Sequence, residues 1–109
     1  MDELEFRKKS DLALEALRRR LLELGDVHAF EVEGEGEKLE LLFEEPEEVR
    51  FVISPNTAAR QIWISALSTS FKLGWSESAG AFVMEKTGEN LSAVMSRILT
   101  QQVGIAITV

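Results

Sequence analysis

The chain has 109 residues, 19 acidic against 12 basic side chains, a net charge of −7, 45% hydrophobic residues and no cysteine. A chain of this length buries roughly two-thirds of its unfolded surface, so one domain spanning residues 1–109 needs no disulfide or metal staple. The lack of cysteine excludes a disulfide framework, a thiolate nucleophile and a Cys-ligated zinc or iron–sulfur centre, and the acidic balance disfavours nucleic acid and anionic lipid as partners.

The opening Met1-Asp2-Glu3-Leu4-Glu5 lacks the basic start and apolar core of a signal peptide, and no apolar run nears the ~20 residues needed to span a bilayer. A soluble cytoplasmic protein is therefore expected. From Asp2 to Leu24, Phe6, Ala13, Leu17, Leu21 and Leu24 recur at helical spacing with Leu14 flanking the stripe, and Gly25-Asp26 supplies a stop. Asp11 and Glu15 stand three to eight residues before Arg18 and Arg19, where helical spacing lets acids and bases neutralise one another. Leu4, Leu12 and Leu22 point outward, either as a contact patch or as scattered exposed leucines.

Period two then replaces the helical repeat: Phe30 and Val32, then Leu39, Leu41 and Phe43, then Val49, Phe51 and Ile53 alternate with mostly charged positions. Gly34-Glu35-Gly36-Glu37 and Glu45-Pro46-Glu47 separate these three strands, and Ser54-Pro55-Asn56 reads as a further break. Strands follow at Gln61–Ser65, through Phe71, Leu73 and Trp75, and, after a turn at Gly80, at Phe82-Val83-Met84. A second helix starts around Thr87-Gly88-Glu89 with Thr87 as its cap and Glu89 at its positive end. It buries Leu91, Val94, Met95, Ile98 and Leu99 and ends near Gly104, and Ile105–Val109 form an apolar tail. Helix, antiparallel strands and helix without βαβ alternation predict an α+β two-layer sandwich: two helices packed on one face of an antiparallel sheet of about six strands, the other face open.

Two features point to function. Between Glu23 and Glu48 lie eleven acids and one Lys or Arg, Lys38. Downstream, Gln61-Ile62-Trp63-Ile64-Ser65 places a tryptophan on the polar side of a strand, where burial does not require it. Such a ring either packs on a neighbouring strand or anchors a partner. The acids either bind cations, for which hard oxygen ligands are suited, or keep a small domain soluble. His28 is the sole histidine, a surface residue or an added imidazole at the helix-to-strand junction.

Gln61-Ile62-Trp63-Ile64-Ser65, with the Glu5-Phe6 start, Ile53-Ser54-Pro55-Asn56, Thr87-Gly88-Glu89-Asn90-Leu91 and Thr100-Gln101-Gln102-Val103-Gly104, resembles the frataxin family, above all its bacterial CyaY branch, along the whole chain. The resemblance implies the frataxin-like two-layer α+β fold and weak, labile binding of ferrous or ferric iron. It also implies attendance on a cysteine desulfurase and an iron–sulfur scaffold protein during cluster assembly. It implies a monomer, with metal-dependent oligomers as a variant, and no organic cofactor. Carried over by position, the implied metal ligands are Asp11, Glu23, Asp26, Glu31 and Glu33, with Glu3 and Glu5 at the helix start, and the implied partner residues are Trp63, Gln61 and Asn56. The chain departs from the family pattern where Arg18 and Arg19 replace Glu and where Leu22, Gly25, Val27 and Ala29 replace Asp or other polar residues. The family's Asn-X-Gln-X-Pro reads Ser54-Pro55-Asn56-Thr57-Ala58.

The other acids, Glu35, Glu37, Glu40, Glu44, Glu45, Glu47 and Glu48, are either solvated surface or a displaced cation site. No Ser-His pairing or Gly-rich phosphate loop is present, so the chain is not expected to be an enzyme, although a ferroxidase activity is attributed to some frataxins. The competing reading is a metal-independent binding module that keeps the exposed Trp63 strand.

Overall fold

The computed structural model describes residues 1–34 and 37–109; Glu35 and Gly36, in the middle of the first predicted turn between strands, lie outside the described residues. Helix α1 (Glu3–His28) is capped by Asp2, whose Oδ1 accepts the Glu5 amide at 2.8 Å, and carries Glu3 and Glu5 at its positive end. Its buried stripe is Phe6, Ser10, Leu14, Leu17, Leu21, Leu24 and Gly25. Leu14, 1% exposed, thus belongs to the stripe rather than to its flank. Ser10 is tolerated inside because its hydroxyl donates to the Arg7 carbonyl at 3.2 Å.

Gly25 does not stop the helix, which runs on to His28 and ends at Ala29 in the left-handed region (φ 57°). A Cβ on Gly25 would stand 2.6 Å from the backbone oxygen of Phe30, so glycine here permits the close return of the chain into the sheet.

Strands β1 (Phe30–Glu33), β2 (Leu39–Phe43), β3 (Val49–Asn56), β4 (Gln61–Ala66), β5 (Thr69–Ser76) and β6 (Ala81–Met84) form one antiparallel meander in sequence order. The register pairs Phe30 with Phe43, Leu41 with Phe51, Ile53 with Ile64, Ile62 with Leu73 and Trp75 with Phe82. These residues line one face and, Trp75 packing half-buried at the margin, join the buried residues of both helices in a single core. Each large core side chain contributes about 1.5–3 kcal/mol. The predicted break at Ser54-Pro55-Asn56 is absent, since β3 continues through it to pair with β4. β2 begins opposite Ile53, so Pro55 lies beyond its end and the missing N–H breaks no ladder bond on that side.

Helix α2 (Leu91–Val103) is capped by Asn90, whose Oδ1 accepts the Ala93 amide at 2.9 Å, not by Thr87. Thr87 instead folds the preceding turn, its Oγ1 accepting the Glu89 amide at 3.2 Å and donating to the Glu89 carboxylate at 3.0 Å. Arg97 reaches back to that carboxylate with two hydrogen bonds of 2.9 and 3.0 Å. Gly104 (φ 83°) ends α2 as predicted, its N–H donating to the Thr100 carbonyl. The tail turns back so that Ile107 is buried, bonded to Thr100 Oγ1, and the Val109 amide donates to Ser96 Oγ.

Three outcomes follow for stability. Gly25→Ala should cost about 1–3 kcal/mol through overpacking against the Phe30 carbonyl, read as a lower urea midpoint at unchanged m-value. The β4–β5 turn holds Leu67 and Ser68 at φ 55° and 60°, so Ser68→Gly at this exposed site should stabilise by roughly 0.5–1 kcal/mol. Hydrogen bonding from Arg97, opposed by partial burial and aided by Thr87, holds the Glu89 carboxyl below the usual carboxylate range. Its stabilisation is therefore present above the unfolded carboxylate pKa and is lost as pH falls through the folded one. Glu89→Gln should lower stability by under about 1 kcal/mol at neutral pH, the difference from the native chain closing on acidification in pH-dependent urea titrations.

Candidate functional site

Because both helices lie on one face, the alternate residues of every strand stand on the open face. Across it run Glu31 and Glu33 on β1, Glu40 and Leu42 on β2, Arg50, Val52 and Ser54 on β3, Gln61, Trp63 and Ser65 on β4, and Lys72 on β5. Trp63 sits between Ser54 and Lys72 in the register. Its Nε1 donates to Gln61 Oε1 at 2.8 Å, and Lys72 Nζ lies 4.6 Å from the ring centroid. The indole is half-buried and held along its edge and over its ring, while remaining on the solvent side of the sheet. A side chain fixed before a partner arrives loses little entropy on binding. Asn56 faces the same way, but its Oδ1 accepts the Ala59 amide at 2.9 Å and so braces the β3–β4 turn, leaving its NH₂ for other contacts.

The seven predicted metal-ligand carboxylates are spread over two elements. Glu31 and Glu33 are exposed on the open face of edge strand β1, two residues apart and so on the same side. Glu33 stands opposite Glu40, whose own carboxylate is engaged by Lys38 at 3.0 Å and Arg50 at 3.5 Å, which relieves the repulsion between them. Asp11 and Asp26 are exposed on α1, and neither they nor Glu31 and Glu33 form an ion pair among the described residues. Glu23 is paired with Arg20 at 3.1 Å, Glu3 with Arg7 at 3.6 Å and Glu5 with Lys9 at 3.9 Å. Arg18 and Arg19 both converge on Glu15, at 3.6 and 3.1 Å, rather than on any of the seven. His28 is half-buried in the last turn of α1, where a basic side chain suits the negative end of the helix.

Among the described residues, no three of His, Asp and Glu come together as a metal-holding group. The arrangement thus offers open surface carboxylates of the hard-oxygen kind that holds a cation loosely.

Sequence reasoning missed the placement of Lys72 over Trp63 and the double pairing of Glu40. The first follows from register: a two-residue turn at Leu67-Ser68 makes Trp63 and Lys72 cross-strand partners, but Leu-Ser carries no turn signature. Lys72→Ala should therefore cost about 0.5–1 kcal/mol in urea denaturation and move the Trp63 indole N–H resonance. Gln61→Ala should move that resonance further, by removing its acceptor, without unfolding the domain.

A family model for the frataxin-like domain matches residues 1–105. The iron-sulfur cluster assembly protein CyaY of Azotobacter vinelandii is 26% identical to the chain over 55 residues, 50% of each protein, so the aligned part spans about half the length of that curated relative. The solved structure of the frataxin from Psychromonas ingrahamii, described as a model for stability modulation within the CyaY protein family, superposes with a TM-score of 0.74. The superposition covers 99% of this chain and 97% of that one at 16% identity, a likeness of fold. Two helices on a six-stranded antiparallel sheet, matched to the family model over almost their whole length, place this chain in the frataxin-like family.

Proposed function

We propose that this protein is an iron-binding accessory of iron–sulfur cluster assembly, a donor or regulator that works beside a cysteine desulfurase and its scaffold protein. The observation that carries the reading is the shared open face: Glu31 and Glu33 at its edge and the braced Trp63 near its middle stand on the same side of one sheet. Three strand spacings, about 14 Å, separate β1 from β4, so a partner seated on Trp63 reaches the acidic edge within one ordinary interface. Iron is cargo in this reading. Glu31 and Glu33 supply hard oxygen donors, Asp11, Glu23 and Asp26 extend the negative field along α1, and the ion keeps most of its water and leaves readily. The name of the Azotobacter vinelandii relative supports the pathway.

Chemistry on the protein alone is not part of this reading. Among the described residues the acids do not gather into the defined ligand cluster of a built ferroxidase site, and in this reading they serve as an attractive edge.

One specific observation favours a second reading, a metal-independent binding module: three of the seven carboxylates are already paired with Arg or Lys, and Arg18 adds positive charge to the flank that carries Asp11. The two separate cleanly. Anaerobic titration of isotope-labelled protein with ferrous iron should broaden the amides of Glu31 and Glu33, and of Asp11, Glu23 and Asp26, in a saturable way. Glu31→Ala with Glu33→Ala should weaken this by roughly tenfold or more, about 1.4 kcal/mol. No saturable change, together with desulfurase binding that survives excess EDTA and is lost in Trp63→Ala, would establish the module reading instead.

A further inference from the structure

On the open face beside Trp63 the sheet carries a hollow of about 600 Å³ with Gly74 of β5 in its floor. The register sets Gly74 between Gln61 on β4 and Val83 on β6, and alternation with Leu73 and Trp75 turns it to the open side. Nothing in the fold calls for glycine here. The ladder runs through Gly74 without a bulge, its φ is not among the positive ones, and a Cβ built on it would meet no atom within 4 Å. Glycine inside a strand weakens it, and where no bulge or bend explains the residue, it marks a place where another backbone or a ligand comes close.

The hollow adjoins the braced indole and has a sign. It shares Gln61 and Lys72 with the two contacts that hold Trp63, so a surface that covers Trp63 reaches Gly74 as well. In a chain of net charge −7, its lining holds two lysines, Lys72 and Lys86, against one acid, Glu85. Both lysines are exposed, and neither forms an ion pair among the described residues. Gln61 Oε1 is taken by the Trp63 indole, which leaves the amide NH₂ of the same side chain as a further donor. The matching occupant brings a carboxylate, and it arrives on a chain that can lie against bare strand.

We infer that a protein partner seated on Trp63 lays an acidic loop into this hollow, its backbone against Gly74 and its carboxylate toward Lys72 and Lys86. This rests on the proposed function for the existence of the partner and adds which part of that partner is read. Gly74 is then a specificity residue: any side chain there fills the hollow while strengthening the strand.

The test sets stability against binding in the full chain. Gly74→Thr puts a β-favouring side chain into open space and should raise the urea midpoint at unchanged m-value. The same variant should bind the cysteine desulfurase or the scaffold protein, each titrated calorimetrically, about tenfold or more weakly than the native chain. Lys86 takes no part in bracing Trp63, and Lys86→Glu should weaken that binding by about threefold or more. A lowered midpoint for Gly74→Thr would show that the fold itself requires glycine and would overturn the inference. Native-like binding by Gly74→Thr, with binding lost in Trp63→Ala, would overturn it and leave the proposed function standing, whereas binding of neither protein by the native chain would remove both. Unchanged or tighter binding by Lys86→Glu would overturn it, because the occupant is then not acidic. A saturable shift of the Gly74 amide resonance with inorganic phosphate alone, or a dimer in sedimentation that Gly74→Thr dissolves, would overturn it by assigning the hollow to a free anion or to a second copy of the chain.

Discussion

All six strands must bury their apolar alternates on the same side, because both helices lie in one layer. The pairs Phe30–Phe43, Leu41–Phe51, Ile53–Ile64 and Ile62–Leu73 satisfy this together, and a one-residue slip in any of them would send a whole strand's apolar set to solvent. The long α1 spans this dry face with a stripe from Phe6 to Leu24, and α2 completes it with Val94, Met95, Ile98 and Leu99. The approach of α1 to the sheet is set where helix turns into strand. There Gly25 gives the Phe30 carbonyl room and Ala29 adopts a left-handed conformation to reverse the chain. Local preference yields to packing at both residues, since glycine would ordinarily end the helix and alanine would ordinarily continue it.

The same constraint creates the open face on which the proposed function rests. With one side of the sheet committed to the core, the other carries every residue that alternation leaves over, and its chemistry is free to vary without cost to packing. It grades from Glu31 and Glu33 at one edge, through the neutralised Glu40 and the braced Trp63, to Lys72 on the fifth strand. Under the proposed function, a partner seated there would meet acid at the β1 rim and base at Lys72, one strand in from the far edge, an asymmetry that fixes orientation more than it adds affinity.

Charge on α1 is handled differently. Glu3, Glu5, Glu15 and Glu23 are matched within one turn of the helix by Arg7, Lys9, Arg18, Arg19 and Arg20, while Asp11 and Asp26 on the same helix have no ion pair among the described residues. The groove between α1, β6 and the start of α2 has the opposite bias, its lining holding Lys9 and Arg20 and no acid around an apolar trough. One small domain thus presents an anion-poor recess on its helical layer and an acidic edge on its sheet layer.

Periodicity alone determined the two helices, the six strands, the inward and outward residues of each strand and the outward leucines of α1, because burial on one face imposes a repeat of 3.6 or 2 that survives in any one sequence. The sequence also carried Trp63 on the solvent side and the acid-rich first half. Tertiary structure decided what local signals cannot encode. It carried α1 past Gly25, took β3 through Pro55, moved the cap of α2 from Thr87 to Asn90, and paired Glu89 with Arg97 eight residues away. It also set Lys72 over Trp63 and left the Trp75 indole nitrogen without a partner among the described residues, since both depend on strand register and on the spacing between layers, quantities that arise only when distant parts of the chain meet.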